Sequence, residues 1–463
     1  MLEQTTVAGT DDWWLVQLAT DFGADLPRLY RMQSYADGTN ALPDEADLAM
    51  KDAYRRFIHM SRLNMAELIV AARVNRMKPL GFRTAAPGDQ NGDAAAWATW
   101  NRSSMKVGAR DFFTDAGNLG SAYLTTTGPL VPSVSAEPLI LPSNGFSTVT
   151  RQYVLRPSMA EAALQVGFDD VNGADVLTLF RPGYMRQAIK GAKKSTVPSN
   201  GKKWNPGRDW TWVSDPIPLG YTSEVPVFKL AGRDGMGMFE KHLDSLDRIT
   251  NGIRERLTIT AMQAFRQRAL SGDLPDEYPA DHPLGGQKID YEGIFKAGPA
   301  ALWKLPSNVT VWESATTDIT PVLVGSRDDV KNLAGVSSTP IYMLSPDAAQ
   351  GSAEGASLAR EALTFSTEEW IDRAERPIVM SLGTAFQGQA DAVRSQAGLI
   401  EIIWASVDRS SWLEKGTAAT ASKSGGLPQR MIDEKIFGLS PAEIAQAEQD
   451  RSDEAFAQPL ATS

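Results

Sequence analysis

Between 239 and 270 the apolar residues Phe239, Leu243, Leu246, Ile249, Ile253, Leu257 and Phe265 recur at intervals of three, four and their multiples. That spacing predicts one buried stripe along one helix. At about 1.5 Å per residue, ~32 residues make a rod of ~48 Å. Charge fills its other faces: Glu240, Lys241, Asp244, Asp247, Arg248, Arg254, Glu255, Arg256, Arg266 and Arg268. Ser271, Gly272, Asp273, Leu274 and Pro275 close it. A rod of that length exceeds the core of an ordinary domain, so the chain is expected to form part of an extended or multi-subunit body.

The remaining composition narrows the class. A chain of 463 residues with 42% hydrophobic and 22% charged residues has enough material for two or more soluble domains. No apolar run is long enough for a transmembrane helix, so no membrane contact is expected. Asp11 and Asp12 beside Trp13 and Trp14 do not read as a secretory signal. Cysteine is absent, which excludes disulfides, thiolate metal sites and cysteine nucleophiles. A net charge of −10 argues against a protein that coats nucleic acid. The charge is uneven, however. Arg181, Arg186, Lys190, Lys193, Lys194, Lys202, Lys203 and Arg208 form a run without an acid, whereas the tail from Met431 carries Asp433, Glu434, Glu443, Glu448, Asp450, Asp453 and Glu454 against Lys435 and Arg451.

Periodicity divides the chain into blocks. Helices are expected over 11–34 and 65–77, then around Trp97 and Trp100 and around Phe112 and Phe113. From 122 to 230, Val, Thr, Tyr and Pro between glycine turns predict a strand-rich region, with 195–207 as a loose, solvated insertion. After the long helix come a Pro/Gly-punctuated segment over 271–318 and a shorter helix over 319–333. A small, polar stretch over 335–355 should have little order. A third long helix is expected over 355–382, kinked at Pro377, followed by a strand over 400–404. The stretch 416–426 reads as flexible, and the acidic tail reads as helical from Pro441.

Catalytic signatures are missing. No phosphate-binding loop, His-Glu-x-x-His zinc motif or Gly-x-Ser-x-Gly elbow occurs. The histidines His59, His242 and His282 are scattered, and Gly232, Gly235 and Gly237 lack dinucleotide spacing. The acid pairs Asp11/Asp12, Asp169/Asp170 and Asp328/Asp329 read better as caps and solvated faces than as metal ligands. The basic run, with Tyr184 and Trp204 interleaved, reads as a solvated loop or a contact with an acidic neighbour ahead of a nucleic-acid patch. No catalytic, cofactor-binding or metal residue is assigned, and no cofactor is expected.

Taken in order, several blocks resemble the portal proteins of tailed bacteriophages, in particular the siphovirus portal family typical of actinobacterial phages. Near the N-terminus they are Trp13, Leu18, Arg28-Leu29 and Tyr35-x-Asp37-Gly38, then Asn64, Val70, Asn75-Arg76-Met77 and Gly81-Phe82. Trp100-Asn101, Asp111-Phe112 and Ala116-Gly117 leading to Gly120-Ser121-Ala122-Tyr123 follow. Val225-Pro226-Val227 then precedes Leu246-Asp247-Arg248-Ile249-Thr250-Asn251. Ser338-Thr339-Pro340, the stretch from Ser352 to Leu358, and Trp404 with Ser410 complete the set. The resemblance covers nearly the whole chain, and it rests on order and spacing more than on any single block.

The resemblance implies an α+β portal fold: a mixed α/β wing, long stem helices, a small α/β clip and a helical crown, closed into a ring. The wing would span 1–238, the stem helix 239–270, the clip 271–318, the returning stem helix 319–334 and the tunnel loop 335–354. A long wing helix with its return strand would span 355–406, and the crown 407–463. Leu246, Ile249, Ile253 and Leu257 would pack the stem, and Ser345, Asp347, Gln350 and Ser352 would line the channel. The chain would be a structural, non-enzymatic virion component, assembled in the host cytoplasm and placed at one capsid vertex. Its expected partners are copies of itself in a dodecamer, the terminase large subunit, the head–tail adaptor, the major capsid and scaffold proteins, and double-stranded DNA passing through non-specifically. Two other classes stay open. One is a nucleic-acid-processing enzyme using the paired carboxylates, marked by divalent-metal-dependent activity on DNA. The other is another virion structural or scaffold protein, marked by elongated monomers or an open lattice.

Overall fold

The Thr10 hydroxyl accepts from the Trp13 amide at 3.3 Å, and Asp11 and Asp12 occupy the first turn, where the helix dipole favours acids. Helix α1 (Asp11–Ala36) starts there. The computed structural model describes residues 7–40, 59–88, 92–128, 137–264, 268–272, 275–290, 310–313, 315, 318–345, 353–408 and 411–457. The chain divides into two compact units, one of residues 1–41, 64–246 and 331–463, the other of 42–63 and 247–330.

The larger unit is layered. Its inner strands are β2 (Ser121–Thr126), β3 (Ile140–Asn144) and β10 (Val227–Ala231), joined antiparallel in the order β10-β2-β3. A six-stranded sheet faces them. Its order is β4 (Thr148–Gln152), β5 (Ala160–Asp169), β6 (Ala174–Arg181), β7 (Tyr184–Gly191) and β8 (Thr211–Trp212), and β9 (Ile217–Pro218) also pairs with β7. The period of two along a strand sends alternate side chains to opposite faces. Tyr123 packs with Ala160, Ala163 and Phe180 of the larger sheet, and Gln165 donates to Thr125 at 2.8 Å. On the other face of β2, Thr126 donates to the Ser381 carbonyl at 3.1 Å.

That second face is covered by helices. α4 (Met105–Leu119) lies over β2 and β3, and α8 (Ala353–Gly388) lies over β10 and β2. α2 (Met65–Val74) and α3 (Ala94–Arg102) pack against both helices. On the far face of the six-stranded sheet, Trp14, Leu15, Leu18, Phe22 and Leu26 of α1 meet Ala162, Leu164, Leu177, Leu179 and Ala188. α1 is not confined to that face, since it also packs against α4 and α2.

Two expectations change here. The stretch 195–207 is anchored and not loose. Asp175 is buried and accepts from Ser195 Oγ at 2.9 Å and from the Thr196 amide at 3.0 Å. Trp204 is 6% exposed and packs edge-on against Phe22. Gly23 lets it approach, since a Cβ there would overlap the Trp204 carbonyl oxygen. The stretch 416–426 belongs largely to helix α9 (Trp412–Ser424), because Ser411 and Glu414 form a reciprocal capping box that outweighs Gly416 inside the helix.

The C-terminal elements dock on the body. β1 (Pro79–Arg83) pairs antiparallel with β13 (Glu401–Trp404), with Phe82 opposite Ile402. α10 (Gln429–Ile432) and α11 (Pro441–Ala457) follow. The acidic tail is partly neutralised within the fold: Arg83 reaches Glu434 at 2.7 Å, Arg451 reaches Asp433 at 2.7 Å and Arg430 reaches Glu448 at 3.0 Å.

The smaller unit contains most of the long stripe. A short turn at Glu240–His242 precedes α5 (Leu243–Ala264). The helix is therefore shorter than 239–270. Arg268–Ser271 forms β11 instead, paired antiparallel with β12 (Thr310–Glu313). α6 (Thr320–Val336) follows, started by Asp318, which accepts from the Thr320 amide at 2.9 Å. Phe265 lies outside the described residues.

Candidate functional site

Arg28 fixes where α5 begins. Its Nε and Nη2 donate to the two Glu240 oxygens at 2.8 and 2.6 Å, and Nη2 also reaches the Gly235 carbonyl at 2.9 Å. A bidentate pair of this kind sets orientation as well as strength. The hydrogen bonds that it donates to Glu240 hold the guanidinium above its ordinary value despite its burial. These partners stand 212 residues apart, and no local pattern joins them.

Burial along the stripe falls off from its start. Phe239 and Leu243 are buried, Leu246 is 6% exposed and Ile249 is 3% exposed. Ile253 and Leu257 are half-buried. α5 and α6 run antiparallel. Arg248 Nε reaches Asp329 Oδ1 at 2.8 Å, and four residues further on Gly252 faces Ser326, where a Cβ would stand 3.1 Å from the hydroxyl. Arg248 is more than half exposed, so that ion pair fixes register more than it stabilises.

The chain leaves α6 through a buried turn. The Ser337 amide donates to Leu333 O at 2.9 Å and the Thr339 amide to Ala334 O at 3.0 Å. Ser338 between them is left-handed, with φ 50°. Arg73 of α2 is buried against this turn. Its Nε donates to Ser366 Oγ of α8 at 2.8 Å, its Nη1 to Ile69 O at 2.7 Å and Thr339 Oγ1 at 3.4 Å, and its Nη2 to Ser337 O. Burial lowers Arg73 to about 10. The described start of the 335–354 segment is therefore pinned, and α7 (Ile341–Leu344) continues it; this differs from the low order expected there. Ser345 is half-buried and donates its amide to Ile341 O at 2.8 Å, whereas Asp347, Gln350 and Ser352 lie outside the described residues.

The groups that could carry chemistry are engaged elsewhere. Asp11 accepts from Tyr184 Oη at 2.7 Å and Arg186 at 3.4 Å, and Asp12 accepts from Trp212 Nε1 at 2.7 Å. Asp169 caps a turn by accepting from the Val171 and Asn172 amides at 2.9 and 3.1 Å. Among the described residues no group of His, Asp and Glu is placed to hold a metal ion. His282 stacks on Tyr278 at 4.5 Å, and burial, with Arg73 and Lys241 nearby, lowers His242.

A cavity of about 500 Å³ lies between β1, α3 and α11, lined by Leu80, Phe82, Trp97, Ala98, Pro441 and Ala442. Its one buried acid, Asp93, already caps α3 and accepts from Thr84 at 2.6 Å and Arg394 at 2.8 Å. Burial pushes that carboxyl up, but the hydrogen bonds from Thr84, Ala96 and Arg394 outweigh it and hold it below its ordinary range. Nothing in the sequence marked this cavity, because its walls come from opposite ends of the chain.

The basic run divides in two. Arg181 stacks over Trp14 at 4.8 Å, Arg186 over Trp212 at 4.3 Å, and Lys190 pairs with Asp209 at 2.7 Å. Lys193, Lys194, Lys202 and Lys203 are exposed.

No protein-family model and no curated protein matches this chain. Among solved structures, a chain from "Neck of native GTA particle computed with C12 symmetry" is similar at 11% identity and a TM-score of 0.41, covering 87% of this chain and 97% of that one. A chain from "Virion of native gene transfer agent (GTA) particle" is similar at 12% identity and a TM-score of 0.38, covering 89% and 98%. Scores at this level assign the chain neither a family nor a role.

Proposed function

We propose that this chain is a phage portal subunit: a ring-forming structural protein at one capsid vertex that encloses the path of double-stranded DNA during packaging and ejection. The observation that carries this reading is the way residues 247–330 are inserted. The chain leaves the layered unit along α5 and returns along the antiparallel α6, with β11 and β12 paired between them. Ile253 and Leu257 remain half-exposed on α5, a surface suited to a neighbouring copy. The ordered resemblance of the sequence blocks supports the same assignment.

In this reading α5 and α6 are the stem, 271–318 is the clip that meets the terminase large subunit and later the head–tail adaptor, and 335–354 is the tunnel loop. The layered unit is the wing and faces capsid and scaffold proteins. The subunit positions and conducts, and supplies no bond-breaking groups. Labelling intact particles with an antibody to an epitope tag on this chain tests the assignment: label should mark a single vertex. Label spread over the shell would contradict it.

A further inference from the structure

We infer that the lysine-bearing loop of one copy docks on the outer stripe of α8 in the next copy. This rests on the ring-forming reading above, and it names the two faces that such a ring would bring together.

One face is the loop between β7 and β8. Lys193, Lys194, Lys202 and Lys203 are exposed on it, and none pairs with a carboxylate among the described residues. Their backbone is held from both ends. Asp175 ties Ser195 and Thr196, and Trp204 is anchored between Phe22 and Trp210, with its amide on Gly23 O at 3.2 Å. Cations presented from a fixed backbone lose less entropy on docking than cations on a loose chain.

The other face is the outer side of α8. Glu361, Phe365, Glu368 and Asp372 follow one another at spacings of four, three and four, which places them on one helical stripe. All are exposed, Phe365 at 61%. Glu361, Glu368 and Asp372 pair with no cation among the described residues, whereas neighbouring Glu369 is taken by Arg373 at 2.7 Å. Burial, and then the nearby carboxylates of Asp372 and Glu401, push the carboxyl of Glu375 up.

The two faces stand on separate elements of the larger unit: the lysine loop is anchored on α1, where Trp204 meets Phe22, whereas α8 packs on β10 and β2. Two different complementary faces on one subunit make a head-to-tail contact that a rotation can repeat, not a self-matching dimer. The lysine stems can cover Phe365 while their ammonium groups meet the carboxylates or the ring face. A second copy fits better than a nucleic acid, because a chain of net charge −10 repels a polyanion and already carries the complementary stripe.

Two variants test this contact, Lys193→Glu/Lys194→Glu/Lys202→Glu/Lys203→Glu and Glu361→Lys/Glu368→Lys/Asp372→Lys. All seven positions are exposed, so each variant should keep the parent's circular dichroism and melting temperature. By native mass spectrometry each variant alone should lose the ring, and an equimolar mixture should recover a closed assembly of alternating copies. Rings formed by either variant alone, or a mixture that stays monomeric, would overturn the contact. If the unaltered protein forms no ring, the portal reading fails; if it and both variants form rings, only this contact fails.

Discussion

Arg73 is a buried cation held by carbonyl and hydroxyl oxygens, with no carboxylate beside it among the described residues. Two of its contacts lie in the turn just past α6, where the negative end of that helix offsets the charge. Arg73→Met removes the donors and leaves Ser337 O without its charged partner. Chemical denaturation should show a loss of about 2–3 kcal/mol, in line with hydrogen bonds to charged groups; an unchanged midpoint would contradict the pinning role. His242 makes a pH-dependent contribution. Burial first, then Arg73 and Lys241, depress its folded value below 6.5. The unfolded chain therefore binds the proton first as pH falls, so stability declines below about pH 6.5 and recovers as pH rises. His242→Gln should flatten that decline between pH 7.5 and 5.5, and an equally steep fall would count against it. Neither Arg73 with Ser337 nor Arg28 with Glu240 was legible in the sequence, because each pair is more than 200 residues apart and shares no local pattern.

Elements were more legible than contacts, and the misses have physical causes. The apolar period marked α5 correctly through Leu257, since one buried face repeats every three or four residues. It could not mark the stop, because Arg268–Ser271 becomes a strand only through its partner Thr310–Glu313. The lysines made 195–207 look solvated, while the deciding residues were Asp175 and Trp204, one buried acid and one buried ring. The capping box likewise decided α9 over its glycine. Within α5 the stripe should split in two by mutation. Ile249 is buried within one chain, so Ile249→Ala should cost about 2–5 kcal/mol of folding stability. Ile253 is half-exposed in the single chain, so Ile253→Asp should leave most of the monomer's stability but abolish assembly, by placing an unpaired charge where a neighbour packs. Normal assembly of that variant, measured by light scattering, would remove α5 from the subunit interface.

At the scale of the whole molecule, the acidic balance and the inserted α5–α6 unit lead to the same account. A conduit must let DNA slide, and a net charge of −10 opposes the many phosphate contacts that make binding tight and steeply salt-dependent. Filter binding should therefore find weak, sequence-independent retention of duplex DNA; nanomolar binding to one sequence would contradict this. Ring formation is the central proposal, motivated by half-buried apolar positions on α5 and by exposed lysines and exposed acids on separate elements of one unit. Native mass spectrometry of the purified full-length protein at micromolar concentration, read alongside negative-stain images, tests it most directly. The account predicts a closed homo-oligomer near a dodecamer with a central channel, and a stable monomer at that concentration would contradict it.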